Sequence, residues 1–355
     1  VKRLALARRE TPTRGGAPAA FLIGLSFALA LGAILLTISG DSVIEVYQRM
    51  FERSLGSKDV ISATLNRATP MALAGLAVSI AATMGLWNIG AEGQILFGAT
   101  AATFVGRLFP DLPGPVLIVA MLLGAAIGGA LWALGPGLAR AEIGVSEIIT
   151  TLMLNEVALR LIQYLQNGPW KDPDGFSFAQ ITPRPEQAGL GDIWERAHLG
   201  VVIALVLIIG FAWFASRSVW GYELRIAGSS AKTAAYAGIS MRSKILGVLL
   251  LSGAVAGFAG GIELSGTAVR LNENIANGYG FAGIIVAALA LMRPSGVALV
   301  ALAFGAVQVG GVSIQSIGVS SAVADILQAL ILFGAIGATV LSNYQVKMVE
   351  RKVAV

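Results

Sequence analysis

The sequence predicts an all-α fold with about ten membrane crossings, and three observations carry that expectation. Hydrophobic residues make up 56% of the chain and charged residues only 13%, with a mean hydropathy of +0.77. A soluble domain keeps a charged shell of roughly a quarter of its residues, so water is not this chain's main solvent. Glycine is also abundant, at 44 of 355 residues, and small residues let membrane helices approach closely where dispersion drives packing. Finally, uncharged runs recur at the length of roughly 20 residues that spans about 30 Å of hydrocarbon.

Taken in order, the first run is Ala19–Ile38, behind a basic stretch at 1–18. Its apolar length exceeds the roughly 7–15 residues of a signal peptide, so a retained first helix is expected over a cleaved leader. Ala68–Ala91 follows, then a shorter run ending at Gly106, then Leu112–Ala139. Ile148–Tyr164 is weakened by Glu156 and Arg160. Beyond a polar interval come Leu199–Ser216, Ile245–Ile262, Asn274–Met292, Pro294–Ala324 with a polar tail at Ser313–Ser321, and Ile326–Val346. The transmembrane region is thus 19–346, with 347–355 as a second basic end.

Lys and Arg set the orientation of such a chain. With the N-terminus inside, fifteen basic residues fall on the inner side and nine on the outer, while acids divide four to eleven. Both termini are therefore expected in the cytoplasm. The same rule places the net charge of +5 where topology wants it, which removes the need for a nucleic-acid partner. Two connections are too long for turns. The outer one, 166–197, carries Pro169, Pro173, Pro183 and Pro185 with Trp170, Phe176, Phe178 and Trp194, and reads as either a docking surface or a spacer. The inner one, 217–244, reads as a short amphipathic helix with Arg225 and Lys232 beside a small-residue face of Ala231, Ala234, Ala235 and Gly238.

Between the second and third crossings, Gly85–Gln94 contains three glycines with Trp87, Asn88, Glu92 and Gln94. Glycine loosens the helical ladder, and freed backbone groups inside a bilayer need protein or water around them. Discontinuous helices commonly mark transport sites; a tight helical turn is the structural alternative. Five acids lie in or at the ends of crossings, where an unpaired charge is costly. Glu156 is expected to pair with Arg160 four residues on, with no transport role; Glu147 follows Ser146 at a helix start, Asp325 opens the last helix, and Glu263 is expected to be solvated. Glu92 alone has no simple structural explanation. Gly253, Gly257 and Gly261, and Gly124 with Gly128, are spaced as helix-packing grooves. His198, the single histidine, is expected at an interface.

Several chemistries are excluded. No cysteine is present, and one histidine cannot build an imidazole metal site. No P-loop and no Gly-Lys dipeptide occur, and neither GxSxG nor HExxH fits, so an enzyme is not expected and the chain itself needs no cofactor.

Four segments bring a family into view: NIGAEGQILFGA (Asn88–Ala99), GVSEIITTLMLN (Gly144–Asn155), GYELRIAGSSAKTAAYAGIS (Gly221–Ser240) and GYGFAGIIVAALAL (Gly278–Leu291). Over about Pro70 to Val340 the chain resembles bacterial ABC importer permeases of the branched-chain amino acid, ribose and nucleoside class, nearest the nucleoside and simple-sugar branch. The resemblance implies a type II importer permease in the inner membrane. Its partners would be two ATPase subunits that consume ATP, a second permease, commonly a different chain, and an external binding protein or lipoprotein. It also assigns 217–244 as the cytoplasmic coupling loop, with Arg225, Ala234, Ala235 and Gly238 at the ATPase. Thr233 replaces the glutamate of the EAA form, and two residues, not three, separate Ala235 from Gly238. A nucleoside is the expected solute, with purine nucleosides favoured. Trp87, Asn88, Glu92, Gln94, Tyr279 and Phe281 would offer aromatic faces and hydrogen-bonding groups along the pathway. A pentose would use the same set; an ion-coupled carrier built on Glu92, or a scaffold without transport, are the readings from other classes.

Overall fold

The computed structural model describes residues 2–8, 16–175, 179–320 and 322–350. Arg9, Glu10, Arg14, Phe176, Phe178, Ser321, Arg351 and Lys352, on which expectations above rest, lie outside them. The described chain is predominantly helical. It opens with β1 (Lys2–Arg8), α1 (Gly16–Ser39) and α2 (Val43–Leu55). Then come α3 (Lys58–Ala82), α4 (Ala91–Leu108), α5 (Gly114–Ile143) and α6 (Glu147–Asn167). A folded connection with β2 (Asp192–Trp194) and β3 (Ala197–His198) leads to α7 (Gly200–Arg217), α8 (Val219–Ser229) and α9 (Ala231–Tyr236). The chain ends with α10 (Met241–Gly266), α11 (Tyr279–Leu289), α12 (Pro294–Ser313), α13 (Ala322–Asn343) and β4 (Tyr344–Glu350). Among the described residues, α5, α6, α7, α10 and α12 with its following turn are long and apolar enough to cross a membrane.

Three elements depart from the sequence reading. Helix α2 was hidden by its charges; its buried Val46 and Met50 stand four apart on one face, and Ser42 caps it by accepting from the Glu45 N–H at 3.4 Å. The inner connection is two helices, not one, because Ser230 turns the chain and caps α9 through the Thr233 N–H at 3.2 Å. Strictly all-α is also too narrow, since two two-stranded sheets are present.

The chain divides into two compact units, 1–56 with 307–355, and 57–306. In the first, α1 packs along α13, and Leu36, Val46, Met50, Ile314, Val319 and Leu327 form a core. The terminal strands β1 and β4 pair antiparallel, Lys2 opposite Glu350 and Arg8 opposite Tyr344. In the second unit α10 is the central helix, packed on α3, α4 and α5. Its glycines permit backbone contact: a Cβ on Gly257 would lie 2.6 Å from Gly129 Cα, and one on Gly253 would lie 2.6 Å from Ala133 Cβ. Gly124 and Gly128 face the other way, toward Val105 and Ala101 of α4. The long connection after α6 is tied down by Arg184 Nε to the Leu264 carbonyl (3.1 Å), the Leu190 N–H to the Ser265 carbonyl (2.7 Å) and an Arg270–Asp172 ion pair (2.8 Å).

Candidate functional site

The break between α3 and α4 is built by Gly85, whose φ of +70° ends α3 with the Leu86 N–H turned back to the Ala81 carbonyl at 3.2 Å. Polar side chains at and around it then knit α3, α4, α6 and α10 together. The Asn88 amide nitrogen donates to Gln94 Oε1 and to Ser252 Oγ, both at 2.7 Å. Asn88 Oδ1 accepts from the Gly90 N–H and from Gln94 Nε2, both at 3.1 Å. The Ser252 hydroxyl in turn donates to the Ala77 carbonyl at 2.6 Å. Asn155 of α6 accepts from the Gly93 N–H at 2.9 Å and donates to the Ile89 carbonyl at 3.0 Å. Glu147 accepts from the Trp87 N–H at 3.1 Å and pairs with Arg140 at 3.2 Å, in place of a simple capping role beside Ser146. The N–H groups of Leu86, Trp87, Gly90 and Gly93 and the Ile89 carbonyl are thus satisfied by protein.

Glu92 has a clear structural task. Its two carboxylate oxygens accept from the N–H groups of Gly278 (2.9 Å) and Gly280 (2.7 Å), closing the N-terminus of α11 against α4. A carboxylate there meets the orphan donors and the positive end of the helix dipole. Helix α11 itself has 11 residues, about 16 Å at 1.5 Å per residue. The helical crossing expected over Asn274–Met292 is therefore a half-helix preceded by irregular backbone. Glycines seat it: Gly280 lies on the Ala91–Glu92 backbone and Gly283 on Ala74. Beside it, Arg67 donates to Tyr279 Oη at 2.6 Å, stacks over the Tyr279 ring at 5.0 Å and lies against the Asn277 side-chain amide. Glu263, expected to be solvated, is only 6% exposed and interacts electrostatically with Arg67.

Of the six residues assigned to a pathway, Asn88, Gln94 and Tyr279 are buried and Glu92 is committed to backbone. Trp87 and Phe281 present large exposed surfaces. An apolar groove of about 710 Å³ between α3, α7 and α12 is lined by none of the six. A second polar chain begins on α6: Arg160 pairs with Glu156 (2.6 Å) and donates to Gln163 (2.9 Å), and Gln163 donates to Glu273 (2.6 Å).

The α8–α9 segment is braced from both sides. Arg225 donates to the Ala215 carbonyl at 2.6 Å, and Glu223 pairs with Lys244 of α10. Gly228 packs directly on the backbone of Thr83 and Met84, the turn that opens the α3–α4 break. Ala234 is buried, Ala235 and Gly238 are exposed, and Gly238 ends α9 with φ +70°. Tyr236 is 95% exposed. Sequence reasoning passed over Tyr236, Arg67 and Ser252. Arg67 sits one residue before the run counted as a crossing, and an aromatic within an alanine-rich hexapeptide was the available sign of Tyr236. His198, expected at an interface, is 1% exposed with both ring nitrogens unpartnered among the described residues.

Comparison with known proteins gives a consistent picture. Residues 60–336 match the family described as branched-chain amino acid transport system / permease component. The guanosine ABC transporter permease protein NupP of Bacillus subtilis is 35% identical over 337 residues, 93% of this chain and 95% of its own length. The glucose ABC transporter permease protein TsgB13 of Haloferax volcanii is 35% identical over 331 residues, 90% of this chain and 87% of its own length. The nucleoside ABC transporter permease protein NupB of Lactococcus lactis is 28% identical over 322 residues, 88% of each chain.

Proposed function

The chain belongs to the branched-chain amino acid transport system permease family, and on that premise we propose that it is the membrane subunit of an ATP-driven nucleoside importer. The observation that carries this reading is the α8–α9 segment, an exposed pair of short helices braced on α10 and seated on the α3–α4 turn. A separate ATPase would grip α9, with Ala235 and Gly238 on the exposed side and Arg225 holding the base of the segment. Movement of the segment would then reach the break directly through Gly228, without a relay of side chains. A ligand shifts such a two-state element only through differential affinity for its states. ATP would supply that on the cytoplasmic face and the loaded binding protein on the outer face, where the described part of the 166–197 connection is anchored to α10 through Arg184 and Leu190.

The paired ends β1 and β4 support an even number of crossings, since hydrogen-bonded strands lie on one side of a membrane. Ten is the count we adopt, with irregular backbone at 267–278 and α11 together making the eighth; such backbone is tolerated where protein surrounds it. The basic residues of both ends then face the cytoplasm of a bacterial cell. Two of the three relatives above are named for nucleosides, which favours that solute, and a second permease subunit of different sequence completes the channel.

 The simple-sugar alternative rests on the equally similar glucose permease. An ion-coupled carrier loses its motivation, because both oxygens of Glu92 are held by backbone N–H groups.

The test is uptake into proteoliposomes holding this chain, its partner permease and the ATPase. Labelled guanosine should accumulate only when ATP is inside and the loaded binding protein outside. Uptake that persists without the ATPase, or that follows a proton or sodium gradient in the chain alone, overturns the reading.

A further inference from the structure

Helix α6 is long and apolar enough to cross a membrane, yet it carries an ion pair at its centre. Its 21 residues extend about 32 Å, and Glu156 stands about 14 Å from the first of them at 1.5 Å per residue. The pair is not buried: the Glu156 side chain is 59% exposed and that of Arg160 68%. Two charges at mid-bilayer depth do not face lipid, because that position is expensive for either ion. They face water or another protein.

The surroundings favour water. The polar surface does not stop at the pair but continues through Gln163 to Glu273, with Asn272 and Asn274 exposed next to Glu273. Tyr164, one turn beyond Arg160, is exposed as well. Considerable bonding capacity is left over. Glu156 engages Arg160 through one oxygen, and among the described residues the other has no partner. The Arg160 guanidinium spends Nη2 on Glu156 and Nη1 on Gln163, out of five N–H donors.

We propose that Glu156 and Arg160 form a sugar-hydroxyl site in the solute pathway, with the free carboxylate oxygen accepting from one hydroxyl of a vicinal diol and the guanidinium donating to its neighbour. Charged acceptors and donors make the stronger hydrogen bonds to neutral groups. The diol is the chemistry that a ribonucleoside and glucose share, so the site serves either solute named among the relatives. Tyr164 supplies an aromatic face within reach of whatever the diol carries. The proposal rests on the importer reading given above.

The experiment compares guanosine with 2′,3′-dideoxyguanosine, and glucose with 2,4-dideoxyglucose, which has no vicinal pair of hydroxyls, in the reconstituted complex, for the wild type, Glu156→Gln and Arg160→Gln. The binding protein contributes the same preference throughout, so a change in the ratio of the two uptake rates belongs to the permease. Both variants should lower uptake of the diol-bearing solute about tenfold, the effect of losing one charge-assisted hydrogen bond, and leave that of its deoxy analogue within about twofold. Unchanged ratios with uptake retained overturn the site while leaving the importer intact. Loss of the partner permease on purification of both variants also overturns it, by placing the pair in the contact between subunits. Absence of ATP-dependent uptake of guanosine and glucose by the wild type removes the premise and the proposal together.

Discussion

Helices α10 and α6 are both long and apolar enough to span a bilayer, but they are put to opposite uses. In the most apolar stretch of α10, 61% of residues are buried; in that of α6, 28% are. Helix α10 contributes glycines that bring its backbone against α4 and α5, and its one mid-helix polar side chain, Ser252, is satisfied on both sides. Helix α6 buries Thr151, Asn155 and Ala158 on one face and turns Met153, Glu156 and Arg160 outward on the other. The contrast teaches that hydropathy reports a helix's solvent, not its neighbour. A stripe of glycine marks where helix meets helix, and a charge pair on an exposed face marks where lipid does not wait.

The contrast breaks most visibly at Gly257. A valine there would force Cβ and two methyls into the backbone of α5, where neither side has a flexible atom to move. Overpacking of this kind costs about 1–3 kcal/mol and more when backbone must shift, so the variant should lose most of its monodisperse yield and its Tm should drop sharply. Met153→Val on the exposed face of α6 should leave Tm unchanged, within about 0.5 kcal/mol. Equal losses from the two would show that α6 is packed as tightly as α10.

A middle-sized effect is expected at Glu92, which belongs with the packed centre. In Glu92→Gln one of the two backbone donors meets an amide N–H₂ group in place of an oxygen. Leaving such a group unsatisfied costs about 1–3 kcal/mol. The expected outcome is a lowered Tm with an unchanged ratio of guanosine to dideoxyguanosine uptake. A changed ratio at full stability would move Glu92 from the packed centre to the solute's side.

The smallest effect concerns His198, whose ring lies against Gly266 at the C-terminal end of α10. Burial lowers its pKa below the ordinary 6.5, and Asp192 works in the opposite direction. Below 6.5 the unfolded chain takes up the proton more readily than the folded one, so the stability present above that pH is lost as pH falls through the lower folded value. Melting curves from pH 7.5 to 5 should show a decline in Tm that His198→Gln reduces. Identical pH profiles for the two would mean that the ring is already hydrated in the folded protein.

Much of the fold was legible because lipid is a simple solvent. The runs Leu112–Ala139, Leu199–Ser216 and Ile245–Ile262 became α5, α7 and α10 with boundaries moved by only a few residues. Helix α2 escaped because a peripheral helix is defined by a face and not by a run. The half-helix α11 escaped because its apolar composition continues past Leu289; left-handed Asn277 and Gly278 precede its start, and left-handed Leu291 and Met292 follow its end. At the candidate site the residue types were readable and their partners were not. Asn88 and Gln94 stood out as polar groups at a glycine-rich break, but that they bond to each other and to Ser252, 164 residues away from Asn88, is a matter of packing. Glu92 looked unexplained for the same reason, since its partners lie 186 and 188 residues further along.

The sequence by itself determined that this chain lives in a membrane, which of its segments are helical there, and, through its motifs, the family of machines it resembles. Those properties are sums over local composition, and a bilayer reads them segment by segment. Tertiary structure decided which charges are held and which are free. Glu92, Glu156 and Glu263 are the same residue type in comparably apolar stretches of sequence, yet one caps a half-helix, one is exposed beside an arginine and one is buried near another. The energy of a charge in a low-dielectric interior is set by what stands within a few ångströms of it, and only the folded chain fixes that.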